Sequence, residues 1–159
     1  MAGQIIVVGS LNMDLVVRSP RHPRPGETLL GSDFRTFPGG KGANQAVAAA
    51  RIGAPTAMGG RVGADAFGNA LLANLRLEGV ETRFVTQDGD ASGVALITVS
   101  DDGQNTIVVA QGANALLTPA DVDRAGALFA PGSVLLTQLE VPLETIAHAV
   151  ALANRQAVI

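Results

Sequence analysis

The stretch Phe37-Pro38-Gly39-Gly40-Lys41-Gly42-Ala43-Asn44-Gln45-Ala46 decides how this chain is read. Three glycines and the only lysine of the chain stand directly before an alanine-rich helical run that reaches Arg51. Glycines remove Cβ atoms where a ligand must approach the backbone, and a helix start offers free N–H donors. Lys41 adds a mobile cation with three donors, and Asn44 both a donor and an acceptor. A small polar ligand at this helix start is the expectation. A solvated loop lysine in a chain that otherwise uses arginine is the plain alternative.

Composition narrows the classes. The 159 residues are 47% hydrophobic and 16% charged, with net charge −3, which suits one soluble globular domain. Mild acidity argues against a nucleic-acid surface, which needs clustered Lys and Arg. Apolar runs such as Ala46 to Ala50 fall far short of the roughly 18 residues that span a bilayer. Met1-Ala2-Gly3-Gln4 has no basic segment of the kind that opens a secretory signal, so the cytoplasm is expected. The absence of cysteine removes disulfides, thiolate metal sites and cysteine nucleophiles.

Outward from the opening stretch, Gln4-Ile5-Ile6-Val7-Val8-Gly9-Ser10 reads as a buried parallel strand. Asn12 and Asp14 follow its carboxyl end, where open α/β sheets bind ligands; simple turn closure is the competing role. Residues 19–26 carry three prolines and form a loop, in which His22 is expected to be an exposed bystander. Glu27–Leu30 and Phe34–Phe37 are expected as short strands around Gly31-Ser32-Asp33. Ala43–Ile52 is expected as a helix stopped by Gly53, and Thr56–Gly59 as a strand. Asp65 is expected to cap a helix bearing Phe67, Leu71 and Leu75, rather than to act as a catalytic carboxylate. Glu81–Val85 is a further strand, and Asp102-Gly103 joins Gly93–Val99 to Asn105–Ala110 as a hairpin. Thr118-Pro119-Ala120-Asp121 opens a helix expected to run through Phe129, followed by a strand at Ser133–Leu136. Leu143, Ile146 and Val150 mark the apolar positions of the last helix, whose His148 has no companion metal ligand. Ala157-Val158-Ile159 reads as the start of a next parallel strand.

The phosphate-loop reading of Gly-Gly-Lys-Gly fails on spacing. A Walker A loop needs glycine where Arg35 stands and Ser or Thr where Gly42 stands. Gly9 opens no dinucleotide fingerprint either. Asn12, Asp14, Lys41, Asn44 and Glu140 instead mix amide, ammonium and carboxylate groups, an inventory suited to the hydroxyls of a sugar.

Gly9-Ser10-Leu11-Asn12-Met13-Asp14, Pro25-Gly26-Glu27-Thr28, the glycine-lysine stretch, Gly93-Val94-Ala95-Leu96-Ile97, Gly112-Ala113-Asn114 and Gln138-Leu139-Glu140 together resemble the ribokinase branch of the PfkB carbohydrate kinase family. The resemblance runs along the whole chain but covers only the amino-terminal half of that family's length. It implies an α/β, Rossmann-type three-layer sandwich with a small β-sheet lid, here truncated. The core would take residues 1–13, 39–92 and 111–159, and the lid residues 14–38 and 93–110. It implies ATP-dependent phosphorylation of D-ribose to ribose 5-phosphate, with Mg2+ and a monovalent cation such as K+. Asn12, Asp14, Gly40, Lys41, Gly42, Ala43, Asn44 and Glu140 would bind the sugar, and Ala95, Ile97 and Val109 would cover it from the lid. The lid would also pair two copies into a homodimer. The family's Gly-Ala-Gly-Asp motif, with its catalytic aspartate, is absent; Gly63-Ala64-Asp65 is a partial echo elsewhere. No catalytic residue and no metal ligand is therefore expected in this chain, and the nucleotide and cation sites would lie largely outside it. A non-catalytic sugar-binding or dimerisation module, or a kinase of the same family for another pentose or a nucleoside, stands beside that reading.

Overall fold

The computed structural model describes residues 3–159, so the first two positions of the expected core segment 1–13 lie outside the described residues. Eight strands are described: β1 (Ile5–Val8), β2 (Asn12–Ser19), β3 (Phe34–Gly39), β4 (Thr56–Gly63), β5 (Glu81–Asp88), β6 (Gly93–Ser100), β7 (Asn105–Ala110) and β8 (Val134–Thr137). The α-helices are α1 (Lys41–Arg51), α2 (Ala66–Leu77), α3 (Pro119–Arg124) and α4 (Leu143–Arg155).

β1 consists of β-branched residues because both of its faces are covered. Ile6 and Val8 join the cluster formed with Val122 of α3 and Ile146, Ala149 and Ala153 of α4. Val7 points the other way, against Ala43 and Ala46 of α1, Met58 and Val62 of β4, and Leu71, Leu72 and Leu75 of α2. The sheet has the order β5-β4-β1-β8, with every pair parallel. Two helices on each face complete a three-layer α/β sandwich, the expected fold class. At the outer edge of β8, Ile159 donates to Ser133 C=O at 3.0 Å and accepts from Leu135 N–H at 2.7 Å.

The two β insertions meet in a second sheet of order β3-β2-β6-β7. Each insertion is an antiparallel pair, but the two are joined by a parallel ladder from Asn12 opposite Gly93 to Ser19 opposite Ser100. This sheet takes in Asn12, Met13 and Gly39, which the expected boundaries gave to the core. The residues at the carboxyl end of β1 therefore lead without a break into the lid.

Several local expectations are corrected. Glu27–Leu30 is not a strand: Leu30 is 91% exposed, and the Glu27 carboxylate is occupied by Arg21 and the Arg24 N–H. Only Ser32 and Asp33 bond back to Arg18 of β2. His22 is half-buried, its ring nitrogens 3.4 Å from Ser100 Oγ and 3.3 Å from Thr106 Oγ1. β4 and β5 extend past their expected ends, to Gly63 and Asp88. α1 starts at Lys41, two residues early. α3 stops at Arg124, and the expected helix continues only as a tighter turn at Gly126–Leu128, where glycine weakens the α-helix. α4 buries Thr145, Ile146, Ala149 and Ala153, leaving Leu143 and Val150 outside. Asp65 does cap α2, accepting from Gly68 N–H at 2.7 Å, and it also accepts from Ser92 N–H at 2.8 Å and Ser92 Oγ. One carboxylate thus ties α2 to the start of the lid.

Asp121 anchors α3 to the sheet. Its carboxylate closes a capping box with Thr118 and receives Arg61 of β4 at 2.8 Å and Arg124 at 2.7 Å. Arg61 also reaches Asp88 of β5 at 2.7 Å. Burial alone pushes the Asp121 carboxyl up, but Arg61 and Thr118 overcome it and hold it at about 2. The folded state thus prefers the ionised form. The stabilisation is complete above the unfolded value of about 4 and is lost as pH falls through about 2. Asp121→Ala is expected to cost about 3 kcal/mol at neutral pH, because it strips the cap and leaves Arg61 short of a partner. Urea denaturation at several pH values checks this: the gap between wild type and variant must shrink in acid, and a constant gap would refute the assignment.

Candidate functional site

The site forms where α1 begins against the link from β1 to β2. Gly40, the residue before α1, has φ +92°, and a Cβ there would lie 2.7 Å from Asn12 N and 2.8 Å from Ser10 O. A Cβ on Gly42 would meet Ser10 N at 2.7 Å. The glycines therefore serve close backbone approach. Ser10 uses the donors that this helix start exposes: Ala43 N–H donates to Ser10 C=O at 3.0 Å, and Gly42 N–H lies 3.5 Å from Ser10 Oγ. Glu140 lies beyond β8. Its Oε1 lies 2.5 Å from Lys41 Nζ, and its Oε2 accepts from Ser10 Oγ at 2.7 Å. Burial opposes ionisation of Glu140, yet these hydrogen bonds and the Lys41 charge leave its carboxyl below the ordinary range.

Above this layer lies a cavity of about 160 Å3. Its polar wall is Asn12, Asp14, Gly40, Lys41, Asn44 and Glu140. Its apolar wall is Ala95 and Ile97 of β6 with Ile107 and Val109 of β7. Register explains that wall: Asp14 stands opposite Ala95, Ala95 opposite Val109, and Ile97 opposite Ile107, so alternation puts all four on one face. A larger groove of about 590 Å3 at Arg76 and Gly79–Arg83 is open to solvent, and its one carboxylate, Glu81, is paired with Arg83. Convergent chemistry is found in the smaller cavity.

Within it the two carboxylates differ. Each Glu140 oxygen already has a partner, whereas Asp14 has no hydrogen-bond partner among the described residues. Burial, and then the charge of Glu140, push the Asp14 carboxyl above its ordinary value. Gly39 leaves it room, since a Cβ there would lie 2.5 Å from Asp14 Oδ2. Asn12 is 5% exposed and is held from behind by Asn114, whose Nδ2 donates to Asn12 Oδ1 at 2.8 Å.

The structure brings Asn12, Asp14, Gly40, Lys41, Asn44, Glu140, Ala95, Ile97 and Val109 together around one space. Gly42 and Ala43 do not line it: both are buried, Gly42 against residues 9 and 10 and Ala43 in the core beside α2. Sequence reasoning missed Ile107, which alternation from Val109 identifies, and it missed Ser10 and Asn114. Their contacts join residues 130 and 102 positions apart, so no local pattern announces them. Among the described residues no group of three His, Cys, Asp or Glu could hold a metal ion. His148 pairs with Asp123, at 2.7 Å. With Gly42 N–H and Ala43 N–H turned to Ser10 and the Lys41 ammonium paired with Glu140, the start of α1 is a poor phosphate cradle.

Residues 2–158 match the sequence pattern of the pfkB family carbohydrate kinase. The chain belongs to this family. It is 48% identical over 143 residues to the ribokinase of Bacillus subtilis, covering 89% of this chain and 48% of that protein. It is 39% identical to the deoxyribokinase of Salmonella typhi, covering 97% of this chain and 51% of the relative. The structure of ribokinase from Giardia lamblia superposes with a TM-score of 0.88 at 33% identity, over 98% of this chain and 51% of that one. The chain thus spans about half the length of the pfkB relatives it matches.

The close approach at Gly40 is testable. Gly40→Ala is expected to lose about 2 kcal/mol or more, because alanine resists positive φ and its methyl meets Asn12 and Ser10. Thermal unfolding measures it; a melting temperature equal to wild type would mean that the glycine is dispensable.

Proposed function

We propose that this chain is the sugar-binding half of an ATP-dependent D-ribose kinase of the cytoplasm, forming ribose 5-phosphate. One observation carries the reading: Asp14, a desolvated carboxylate without a partner, faces a small cavity edged by Asn12, Lys41 and Asn44. Several hydroxyls on a compact ring supply the donors that Asp14 lacks and the acceptors that the amides and the ammonium seek. Asn12, Asp14, Gly40, Lys41, Asn44 and Glu140 contact the sugar, with Gly42 and Ala43 supporting them from below. Ala95, Ile97, Ile107 and Val109 close over its less polar face and exclude water.

ATP with Mg2+ would supply the phosphoryl group, and K+ the monovalent cation, as the family implies. Among the described residues no group of three His, Cys, Asp or Glu could hold Mg2+, and we assign the nucleotide and cation sites to the portion of the family that this chain does not span. The catalytic base belongs to the portion of the family that this chain does not span. The lid strands 14–38 and 93–110 pair two copies of the protein; Phe34, Leu96 and Val108, 65, 52 and 68% exposed, share one face of that sheet and suit this role. A second reading, 2-deoxyribose as the preferred sugar, is favoured by the deoxyribokinase relative at 39% identity.

Calorimetry of the 159-residue chain with ribose, 2-deoxyribose and a nucleoside tests the site. Ribose binding is expected, roughly 10- to 100-fold weaker in Asp14→Asn, as the loss of hydrogen bonds to a charged group predicts. Wild-type affinity should be complete above the raised Asp14 pKa and fall as pH drops through it, because the protonated acid accepts poorly. Asp14→Asn should flatten that profile. Unchanged ribose affinity in Asp14→Asn would remove Asp14 from the site. A coupled kinase assay is expected to show no ribose phosphorylation by the chain alone, and turnover by intact 159-residue material would contradict the assignment of the base.

A further inference from the structure

Asn114 lies in the 3₁₀ turn Gly112–Leu116 and is 1% exposed. Its Oδ1 accepts from Leu11 N–H at 2.9 Å, and its Nδ2 donates to Leu11 C=O at 2.9 Å and to Asn12 Oδ1 at 2.8 Å. These contacts leave no freedom in either amide. A backbone N–H can only donate, so the atom that Asn114 turns to Leu11 N must be its oxygen. Its nitrogen then faces Leu11 C=O and Asn12, and the Asn12 atom receiving it must be Oδ1. Asn12 Nδ2 is thereby turned outward, and no protein acceptor meets it among the described residues. Gly93 makes the contact possible, because a Cβ there would lie 2.2 Å from both Asn114 Nδ2 and Asn12 Oδ1.

Taking the cavity as the sugar site proposed above, we infer that Asn114 is a positioning and specificity-determining residue that fixes Asn12 as a hydrogen-bond donor. Asn12 and Asp14 stand two residues apart on one strand and line the same cavity. With Asn12 locked as donor and Asp14 as acceptor, the strand presents complementary polarity to a polyol. One hydroxyl oxygen receives from Asn12 while a hydroxyl proton is given to Asp14. If Asn12 were free to turn, it would present a second acceptor beside Asp14, and the match to a hydroxyl used as acceptor would be lost. Asn114 thus sets the polarity of the sugar wall without touching the sugar.

The test uses the 159-residue chain, with ribose as probe. Asn114→Asp keeps the acceptor for Leu11 N–H but replaces the donor, so Asn12 must turn its Nδ2 inward. In wild type, the Asn114 carboxamide protons should exchange slowly in NMR spectra. Those of Asn12 should exchange fast, then shift and gain protection when ribose is added. In Asn114→Asp, ribose should bind roughly tenfold or more weakly. The Asn12 carboxamide protons of that variant should be protected before ribose and unmoved by it, a signature that simple destabilisation does not produce. Wild-type Asn12 protons already protected without ribose, or unshifted when ribose is bound, would overturn the inference. Wild type showing the expected exchange pattern but no ribose binding would instead overturn the sugar reading, while supporting the imposed orientation. Should Asn114→Asp fail to fold, the wild-type spectra decide the matter alone.

Discussion

The structure depends on how closely the start of α1 approaches residues 9–12. Gly40 and Gly42 have no side chain, and the backbone of Ser10 and Leu11 fills the space that one would occupy. This contact brings a helix start, the end of the central strand and the first lid residue to one point. It also assigns the helix-start donors. Unsatisfied N–H groups at a helix start are the usual reason to expect a bound anion. Here Ser10 supplies the oxygens, and Lys41 with Glu140 completes a cluster that is already neutral.

The second consequence is that the lid is joined to the site by the backbone itself. β2 starts at Asn12, next to the carboxyl end of β1, and pairs with β6 from its first residue. Asn12 and Gly93 stand opposite each other, with Asn114 reaching in behind them. Asp65 fastens Ser92, just before β6, to the cap of α2. The lid sheet is thus pinned at its base by one buried and one partly buried polar contact, while Leu96 and Val108 farther along remain exposed. Such a gradient, firm at the base and thinly packed beyond it, is where low-energy opening is expected.

How much of this was legible in the sequence follows from the range of each interaction. β1, the Asp102-Gly103 hairpin and the caps at Asp65 and Thr118 are set by residues within a few positions of one another, and they were read correctly. Glu27–Leu30 misled because β-forming residues need a ladder partner, and the proline-rich loop holds them away from one. The buried face of α4 misled because Ala149 and Ala153, which bring that helix close, carry little weight in a hydrophobic pattern beside Leu143 and Val150. At the cavity, the polar residues and their placement at strand and helix ends could be recognised. What could not be read was which of them the protein itself satisfies. Ser10 with Glu140 and Asn114 with Asn12 are contacts over more than a hundred residues, and they separate saturated groups from vacant ones.

That separation carries the chemical argument. Two carboxylates and one ammonium around a small cavity admit either an anion or a neutral polyol. An anion would need the cation unspent and the carboxylates distant, yet Lys41 is paired with Glu140 and Asp14 stands open. Opposed by burial and by the charge of Glu140, the Asp14 carboxylate gains from hydrogen-bond donors that add no further negative charge. Hydroxyl groups are such donors, and their oxygens accept from the outward-facing amide of Asn12. On the proposed reading the polarity of the wall suits an uncharged, hydroxyl-rich molecule, and the pairing of Lys41 with Glu140 makes the glycine-lysine stretch a poor phosphate loop.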